Sequence, residues 1–245
     1  MEITAMERDQ QIAAYRARAE ELDTGIGILP SAEVPTSFLA DAIEARAAVL
    51  PGWTPSATFY DDFTVVGGGV GSSWTQQLVG TGAISQPAAR VTRLTSGTSG
   101  GARIQLVSFP VPLPNAGSFY CRARFSTPVI GDVSPILAIG VGTTPGNSQR
   151  LSLGFRGTVD AGASFYQLVS QSVAHVRSPV ESDTTLYHTS ELWWNGNGNV
   201  YGSVDGCPRM VVPTSGATAK FPLVIVNNGL TTAMTVDLSD YYCAA

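Results

Sequence analysis

Charge is scarce in this chain of 245 residues, and lysine is almost absent. Only 13% of the residues are charged, Lys220 is the one lysine, and the net charge is −5. Residues 1–50 hold nine acidic and four basic side chains, whereas residues 51–245 hold ten of each. A segment so sparsely charged offers no surface for tracking phosphates, so nucleic acid is not expected as a partner. Its polar surface suits neutral ligands or partner proteins instead.

Cysteine and histidine are too few for a conventional metal site. Cys121, Cys207 and Cys243 include no CxxC pair, and His175 and His188 are thirteen residues apart. A zinc site of standard spacing needs more ligands than these, so no metal and no other cofactor is expected. Each histidine is interpreted as a surface or partly buried polar residue. Cys121 shares a strand face with apolar neighbours and is interpreted as a buried structural thiol.

Long apolar runs are also missing. No stretch approaches the roughly 18 residues of a membrane span. The N-terminus has no basic segment followed by an apolar one, which is the pattern of a secretory signal. We therefore expect a protein made in a cytoplasm and not inserted in a membrane.

The N-terminal part of the chain, which carries the whole net charge, predicts a helix with a thin apolar stripe. Residues 5–22 place Ile12, Tyr15 and Leu22 on one helical face among charged neighbours. Such a helix is marginal alone and needs a partner surface or copies of itself. These three side chains are therefore candidate anchoring residues, and we expect a homo-oligomer of three or more copies, such as a trimer or a pentamer. Folding back onto its own domain is the alternative.

A second helix is predicted after a break rich in glycine and proline. It covers residues 37–50, where apolar side chains recur at helical spacing. Its apolar members are Phe38, Ile43, Ala47 and Leu50. We interpret residues 1–56 as a helical anchoring arm with a linker, and residues 57–245 as a separate domain.

From Ala57 onward the apolar residues follow a period of two, which indicates strands with one face in a core and one in water. About eleven such segments are separated by clusters of Gly, Pro, Asn and Asp, with no helical period between them. This pattern predicts an all-β, antiparallel jelly-roll sandwich. The predicted strands cover residues 57–65, 89–94, 103–107, 119–126, 136–141, 150–156, 164–170, 186–194, 200–204, 221–226 and 234–242.

A tryptophan-rich segment carries the candidate binding residues. Two Asn-Gly steps and one Asp-Gly step in residues 191–206 predict tight hairpin turns. Trp193 and Trp194 are adjacent on a strand, so only one can lie in the core, and the other should be near solvent. An indole beside amide groups suits a sugar ring; packing under a loop or against a neighbouring subunit is the alternative. The candidate glycan-binding residues are Trp193, Trp194, Asn195, Asn197 and Tyr201.

Several of these segments together resemble concanavalin A-like lectin/glucanase domains, of the kind found in bacteriophage head and tail proteins. The resemblance spans residues 57–245. It rests on the opening residues 59–63 (Phe-Tyr-Asp-Asp-Phe), Trp74, the strand at 118–126, the hairpin that runs into residues 204–206 (Val-Asp-Gly), and the closing strand at 235–238. It implies a two-sheet jelly roll whose first and last strands lie side by side, and whose concave face or rim loops bind carbohydrate.

The resemblance also covers enzymes and metal-binding members, and the sequence departs from both. Hydrolase members carry an E-x-D-x-x-E or E-x-D-x-E pattern, which places two carboxylates in a cleft. Here residues 181–183 (Glu-Ser-Asp) begin the pattern, but Thr185 and Leu186 stand where the second Glu belongs. The resemblance would allow calcium at Asp61 and Asp62, yet no second cluster of ligands is recognisable. We therefore expect neither an enzyme nor a metal site.

A non-enzymatic binding protein is the class that these features favour. We expect a surface protein of a virion or phage-like particle, such as a head spike, decoration protein or tail fibre, assembled in the bacterial cytoplasm. Its arm would attach to a capsid or tail protein, and its sandwich would bind a host surface polysaccharide. A purely structural decoration protein that binds no sugar is the first alternative, and a glycan hydrolase is the second.

Overall fold

The fold is seen in a computed structural model, which describes the sandwich and the segment before it. The described residues are 34–64, 70–71, 73–108, 118–129, 136–142, 150–157, 164–170, 174–177, 185–196, 198–214, 221–228 and 231–245. The predicted helix over residues 5–22, with Ile12, Tyr15 and Leu22, lies outside these ranges, as does Asn197.

One helix and fifteen strands are present in the described ranges. The helix α1 covers Val34–Val49. The strands are β1 (Thr58–Asp61), β2 (Thr75–Val79), β3 (Ala83–Ala88), β4 (Val91–Thr95), β5 (Arg103–Val107), β6 (Phe119–Val129), β7 (Ile136–Gly142), β8 (Arg150–Gly157), β9 (Ser164–Ser170), β10 (Ala174–Arg177), β11 (His188–Trp194), β12 (Asn199–Val204), β13 (Cys207–Pro213), β14 (Phe221–Asn227) and β15 (Thr235–Ala244).

The strands form two antiparallel sheets. The first sheet has the order β13, β12, β11, β6, β15, β4, β3, and β1 also pairs with β15. The second sheet has the order β10, β9, β8, β7, β14, β5, β2. The pairing of β1 with β15 places Thr58 opposite Ala244 and Asp61 opposite Tyr241. The predicted all-β sandwich is confirmed, and so is the expectation that its first and last strands lie side by side.

Alternation along the strands builds the core between the two sheets. On β6, Phe119 and Phe125 are buried on the inner face, as the period of two predicts. On β7 of the second sheet, Leu137, Ile139 and Val141 belong to the same buried cluster. Each sheet therefore contributes one apolar face to a shared core, and its other face points away from that core.

An aromatic cluster in this core surrounds Trp74. Its ring contacts Phe59 at 5.2 Å and Tyr241 at 5.3 Å, both edge-to-face, and stacks on Phe63 at 6.1 Å. The indole Nε1–H donates to Asp61 Oδ2 at 2.6 Å, and the backbone N–H of Phe63 donates to Oδ1 at 2.7 Å. Burial raises the pKa of Asp61, while these two donors oppose the shift. Phe59 and Phe63 of the opening segment, with Trp74, are thus core residues.

Tyr241 joins the two sheets through one hydrogen bond. Its buried hydroxyl on β15 donates to the carbonyl oxygen of Gly140 on β7 at 2.6 Å. We expect Tyr241→Phe to lower the free energy of unfolding by about 1 to 2 kcal/mol, because the buried carbonyl loses its donor. Urea unfolding measures this. Tyr201→Phe removes a hydroxyl outside the core and should cost less than about 0.5 kcal/mol; equal losses in the two variants would contradict the account.

The C-terminal half of α1 packs differently from the prediction. Ala42 and Leu50 are buried, but Ile43 is 42% exposed and Ala47 is also exposed, so their assignment to the apolar face is wrong. The buried side instead includes Arg46, whose Nη1 donates to Tyr242 Oη at 2.9 Å. A charged residue on the packed side hides that side from a search for apolar periodicity.

The interpretation of Cys121 as a free thiol is wrong. Cys121 on β6 and Cys243 on β15 form a disulfide, with their Cα atoms 4.1 Å apart. The two residues are direct cross-strand partners on the inner face. The period of two does place Cys121 in the core, but sequence alone does not show that β6 and β15 are neighbours.

The chain divides into two compact units. Ala42–Ala245 forms one of them, and the residues before Ala42 form the other. The division into an arm at 1–56 and a sandwich at 57–245 stays a prediction. In the ranges that the structure describes, no helix is long and apolar enough to cross a membrane.

Candidate functional site

The two adjacent tryptophans lie on opposite faces of β11. Trp194 is in the core beside Phe119, with the ring centroids 6.3 Å apart. Trp193 lies on the outer face of the first sheet. The prediction that only one tryptophan lies in the core is confirmed, but the expectation that the other stays near solvent is wrong. Trp193 is only 5% exposed, against 6% for Trp194, because neighbouring side chains cover it.

Trp193 belongs to a row of side chains that crosses three strands. The register places it opposite Tyr120 on β6 and Tyr201 on β12. Its ring stacks on Tyr201 with a centroid distance of 5.7 Å and an interplanar angle of 15°. The exposed Arg209 of β13 lies over both rings, with Cζ 5.3 Å from the Trp193 centroid and 5.9 Å from the Tyr201 centroid. We call Trp193, Tyr201 and Arg209 the aromatic patch.

A carboxylate lies in the next row of the same face. Glu191 accepts a hydrogen bond from Tyr120 Oη at 2.7 Å and one from Ser203 Oγ at 3.4 Å, and Arg122 Nη1 lies 3.8 Å away. Burial, followed by the charge of Glu191, raises the pKa of Tyr120, so its hydroxyl stays a donor at neutral pH. The patch is thus bordered by a fixed acceptor, a hydroxyl and a guanidinium.

The predicted hairpin turns are confirmed. Strands β11 and β12 pair from Ser190 opposite Val204 to Trp194 opposite Val200. Gly196 and Gly198 in the connection have φ values of 81° and 67°, where glycine is favoured. Asn195 is exposed at this turn, at the end of the strand that carries Trp193.

The remainder of this outer face carries paired charges. Arg93 binds Asp237 through two bonds of 2.7 and 2.8 Å, and Tyr60 Oη donates to Asp240 Oδ1 at 3.1 Å. Tyr187, which is 38% exposed, lies under Arg124 at 5.1 Å from Cζ to the ring centroid. Tyr187 and Arg124 are therefore a second, more open aromatic–arginine pair on the same sheet.

Asp240 makes stability depend on pH. Burial raises its pKa, against the opposing effects of bonds from Ser239 and Tyr60. The folded protein therefore holds this proton more tightly than the unfolded chain, and stability falls as pH rises from about 3.9 through the raised pKa. Asp240→Asn should therefore gain stability relative to wild type as pH rises from 4 to 7, measured by thermal unfolding.

The matched variant for this prediction is Asp237→Asn. Its carboxylate is held by Arg93 rather than merely buried, so its removal should lower stability at pH 7, by up to about 1 kcal/mol. If Asp240→Asn lost stability with rising pH relative to wild type, the cause assigned to the Asp240 shift would be wrong.

The acidic and histidine residues considered as ligands are engaged elsewhere. Asp61 accepts from Trp74, and Asp62 binds Arg90 at 2.7 Å. His188 is buried, with Nδ1 2.6 Å from Asp205 Oδ2. Among the described residues, no three His, Cys, Asp or Glu side chains gather as a metal site. Residues 181–183 and the side chain of His175 lie outside what the structure describes.

Sequence reasoning found part of the patch and missed the rest. Trp193 and Tyr201 were predicted as site residues. Glu191 was missed, although alternation places it on the same face as Trp193, two residues away on one strand. Arg209 was missed because β13 begins Cys-Pro-Arg and has no clear alternating pattern. The arginine reaches the aromatic rings only through the pairing of β12 with β13.

Solved structures share this architecture, although no protein-family model and no curated protein sequence matches the chain. Peanut lectin aligns with a TM-score of 0.54 and 11% identity, over 77% of this chain and 97% of that one. The seed lectin of Lotus tetragonolobus aligns with a TM-score of 0.53 and 10% identity, over 77% of this chain and 97% of that one. A protein of unknown function from Shewanella oneidensis MR-1 aligns with a TM-score of 0.54 and 15% identity, over 88% of this chain and 95% of that one. The chain therefore has the concanavalin A-like β-sandwich fold of lectins.

Proposed function

We propose that the sandwich is a non-enzymatic carbohydrate-binding module, and that the aromatic patch is its binding site. The observation that carries this proposal is a stacked Trp193–Tyr201 pair outside the core, covered by one exposed arginine, on a fold shared with lectins. Aromatic rings outside a core, with polar groups around them, are the common means of holding sugar rings.

The chemistry of the surroundings suits a sugar. The apolar face of a sugar ring can stack on Tyr201, while its hydroxyls bond to Glu191, Ser203 and the guanidinium of Arg209. Arg209 need not leave the rings for this, because Tyr201 is only half-buried beneath it.

The described carboxylates near the patch already have partners of their own, which favours binding over hydrolysis. Hydrolysis of a glycosidic bond generally needs two carboxyl groups about 5 to 10 Å apart, flanking the bond. Glu191 is fixed by Tyr120 and Ser203. Asp205, the acidic residue at the turn between β12 and β13, is held by His188.

The test is binding of the full chain to an array of bacterial surface polysaccharides. We expect saturable binding that Tyr201→Ala lowers about tenfold or more, as loss of a stacking ring does. Tyr187→Ala is the matched control, since it removes another arginine-covered tyrosine, just before β11, and should leave binding unchanged. Absence of binding to every polysaccharide, in multivalent form, would overturn the proposal.

We also propose that the module belongs to a virion or phage-like particle assembled in the bacterial cytoplasm. The support is the concentration of net charge in residues 1–50, the predicted arm, and the family resemblance. The arm would attach to a capsid or tail protein and hold several copies together, which multiplies weak binding. Mass spectrometry of purified particles from the producing cells should detect the chain in fixed ratio to a capsid or tail protein. Its absence from the particles would contradict this.

A structural decoration protein is the second candidate. The observation in its favour is that Trp193 and Trp194 are both buried, so neither indole offers an open face in this conformation. This candidate predicts no saturable binding to any arrayed polysaccharide, and the same array therefore separates the two.

A further inference from the structure

We propose that the ligand of the aromatic patch is an acidic polysaccharide, and that Arg209 binds a sugar carboxylate. This inference rests on the proposed function and narrows it from glycans in general to carboxylate-bearing ones. The inferred ligand is acidic, whereas the composition of the chain favours a neutral one. The difference arises because Arg209 alone gives the aromatic patch its charge.

Among the residues that the structure describes, no carboxylate neutralises the charge of Arg209. Three arginines on or beside the first sheet have acidic partners: Arg90 binds Asp62 at 2.7 Å, Arg93 binds Asp237 at 2.7 Å, and Arg122 lies 3.8 Å from Glu191. Arg124, like Arg209, is within 4.0 Å of no carboxylate among the described residues, but it covers the single ring of Tyr187 rather than a tryptophan–tyrosine pair. In the part of the chain that the structure describes, Arg209 is within 4.0 Å of no carboxylate. The aromatic patch and its border thus carry two arginines and one carboxylate.

The aromatic rings hold Arg209 in a form suited to an anion. A guanidinium that lies on ring faces keeps its in-plane N–H groups available at its edges, and their fork matches the two oxygens of a carboxylate. Restricting the side chain on Trp193 and Tyr201 lowers the entropy lost when a ligand is bound. Glu191 does not compete for Arg209, because Tyr120, Ser203 and Arg122 surround it.

Ring stacking and anion binding occur side by side at this patch. A uronic or sialic acid residue presents both a carboxylate and C–H groups, so one sugar can contact Arg209 and Tyr201 together. A poly(glycerol phosphate) chain could use the guanidinium, but it has no sugar ring beside its charge to stack on Tyr201. The combination therefore favours a sugar carboxylate.

The experiment measures binding of the full chain to hyaluronan, polygalacturonate and a sialic acid homopolymer, each beside its carboxyl-reduced form. Poly(glycerol phosphate) is included as the other anion source. We expect at least one acidic polymer to bind, and carboxyl reduction to weaken it about tenfold or more, as loss of a charged hydrogen-bonded pair does. Arg209→Gln should cause a similar loss, and should reduce the weakening of binding by added salt.

Arg124→Gln is the matched control, because it removes the arginine that covers Tyr187 on the same sheet. It should leave binding unchanged, and melting curves should show both variants folded, since Arg209 is exposed. Three outcomes would overturn the acidic-ligand inference but leave glycan binding intact. The carboxyl-reduced polymers or poly(glycerol phosphate) could bind as tightly as the acidic polymers, or Arg209→Gln could bind the acidic polymers as tightly as the wild type does. Absence of binding to any polysaccharide, acidic or neutral, overturns both proposals.

Discussion

Replacing Trp74 with alanine is expected to lower the free energy of unfolding by about 3 to 5 kcal/mol, the range for removing a large buried aromatic side chain. The indole is at the centre of a cluster in which Phe59, Phe63 and Tyr241 all contact it. Because these rings come from both ends of the domain sequence, they cannot close over the cavity without moving β1 and β15. Urea unfolding followed by fluorescence measures the loss.

Trp74→Phe separates the packing from the hydrogen bond. It keeps an aromatic ring in the cluster but removes the Nε1–H that Asp61 accepts at 2.6 Å, so the pKa of Asp61 should rise further. We expect an intermediate loss of stability that shrinks at low pH, where the carboxyl is protonated. Leu186→Ala, at a residue that is 61% exposed, is the control and should change stability by less than about 0.5 kcal/mol. A loss below about 1 kcal/mol for Trp74→Ala would contradict the central role of the cluster.

Removing the disulfide is expected to have an effect of similar size. Cys121 and Cys243 are 122 residues apart in the sequence, and a cross-link over so long a loop restricts the unfolded chain strongly. The chain-entropy treatment gives about 4 to 5 kcal/mol for such a loop. We expect the double variant Cys121→Ala with Cys243→Ala to lose stability on this scale when compared with the oxidised wild type.

The control for the disulfide is the wild type under reducing conditions. Reduced wild type and the double variant should unfold at similar urea concentrations, because both lack the cross-link. Thiol titration of the denatured oxidised protein should find one free cysteine, which is Cys207. Three free thiols, or a double variant as stable as the oxidised protein, would contradict the pairing.

The central strands could be predicted from sequence, whereas the edge strands could not. Strands β5 and β9 coincide with their predicted segments, and each is paired with a strand on both sides. Four strands were missed: β2, β3, β10 and β13. They are the two edges of the first sheet and the two edges of the second. Edge strands tolerate proline and polar residues, as Pro87 in β3 shows, so their sequences lack the signal.

The candidate site shows the same division between local and long-range information. The separation of Trp193 from Trp194 follows from alternation within one strand, and the turn beside them follows from Asn-Gly steps. The position of Arg209 over Trp193 does not follow from local sequence, because Arg209 belongs to an edge strand. The predicted thiol of Cys121 was wrong for a related reason: pairing of β6 with β15 joins residues 122 positions apart.

The most direct test of the account compares the full-length wild type with Trp193→Ala on arrayed bacterial surface polysaccharides, once melting curves have shown that both are folded. We expect saturable binding of the wild type to at least one polysaccharide and its loss in the variant. Binding that survives in Trp193→Ala would place the site elsewhere on the sandwich, and no binding by the wild type would contradict carbohydrate binding itself.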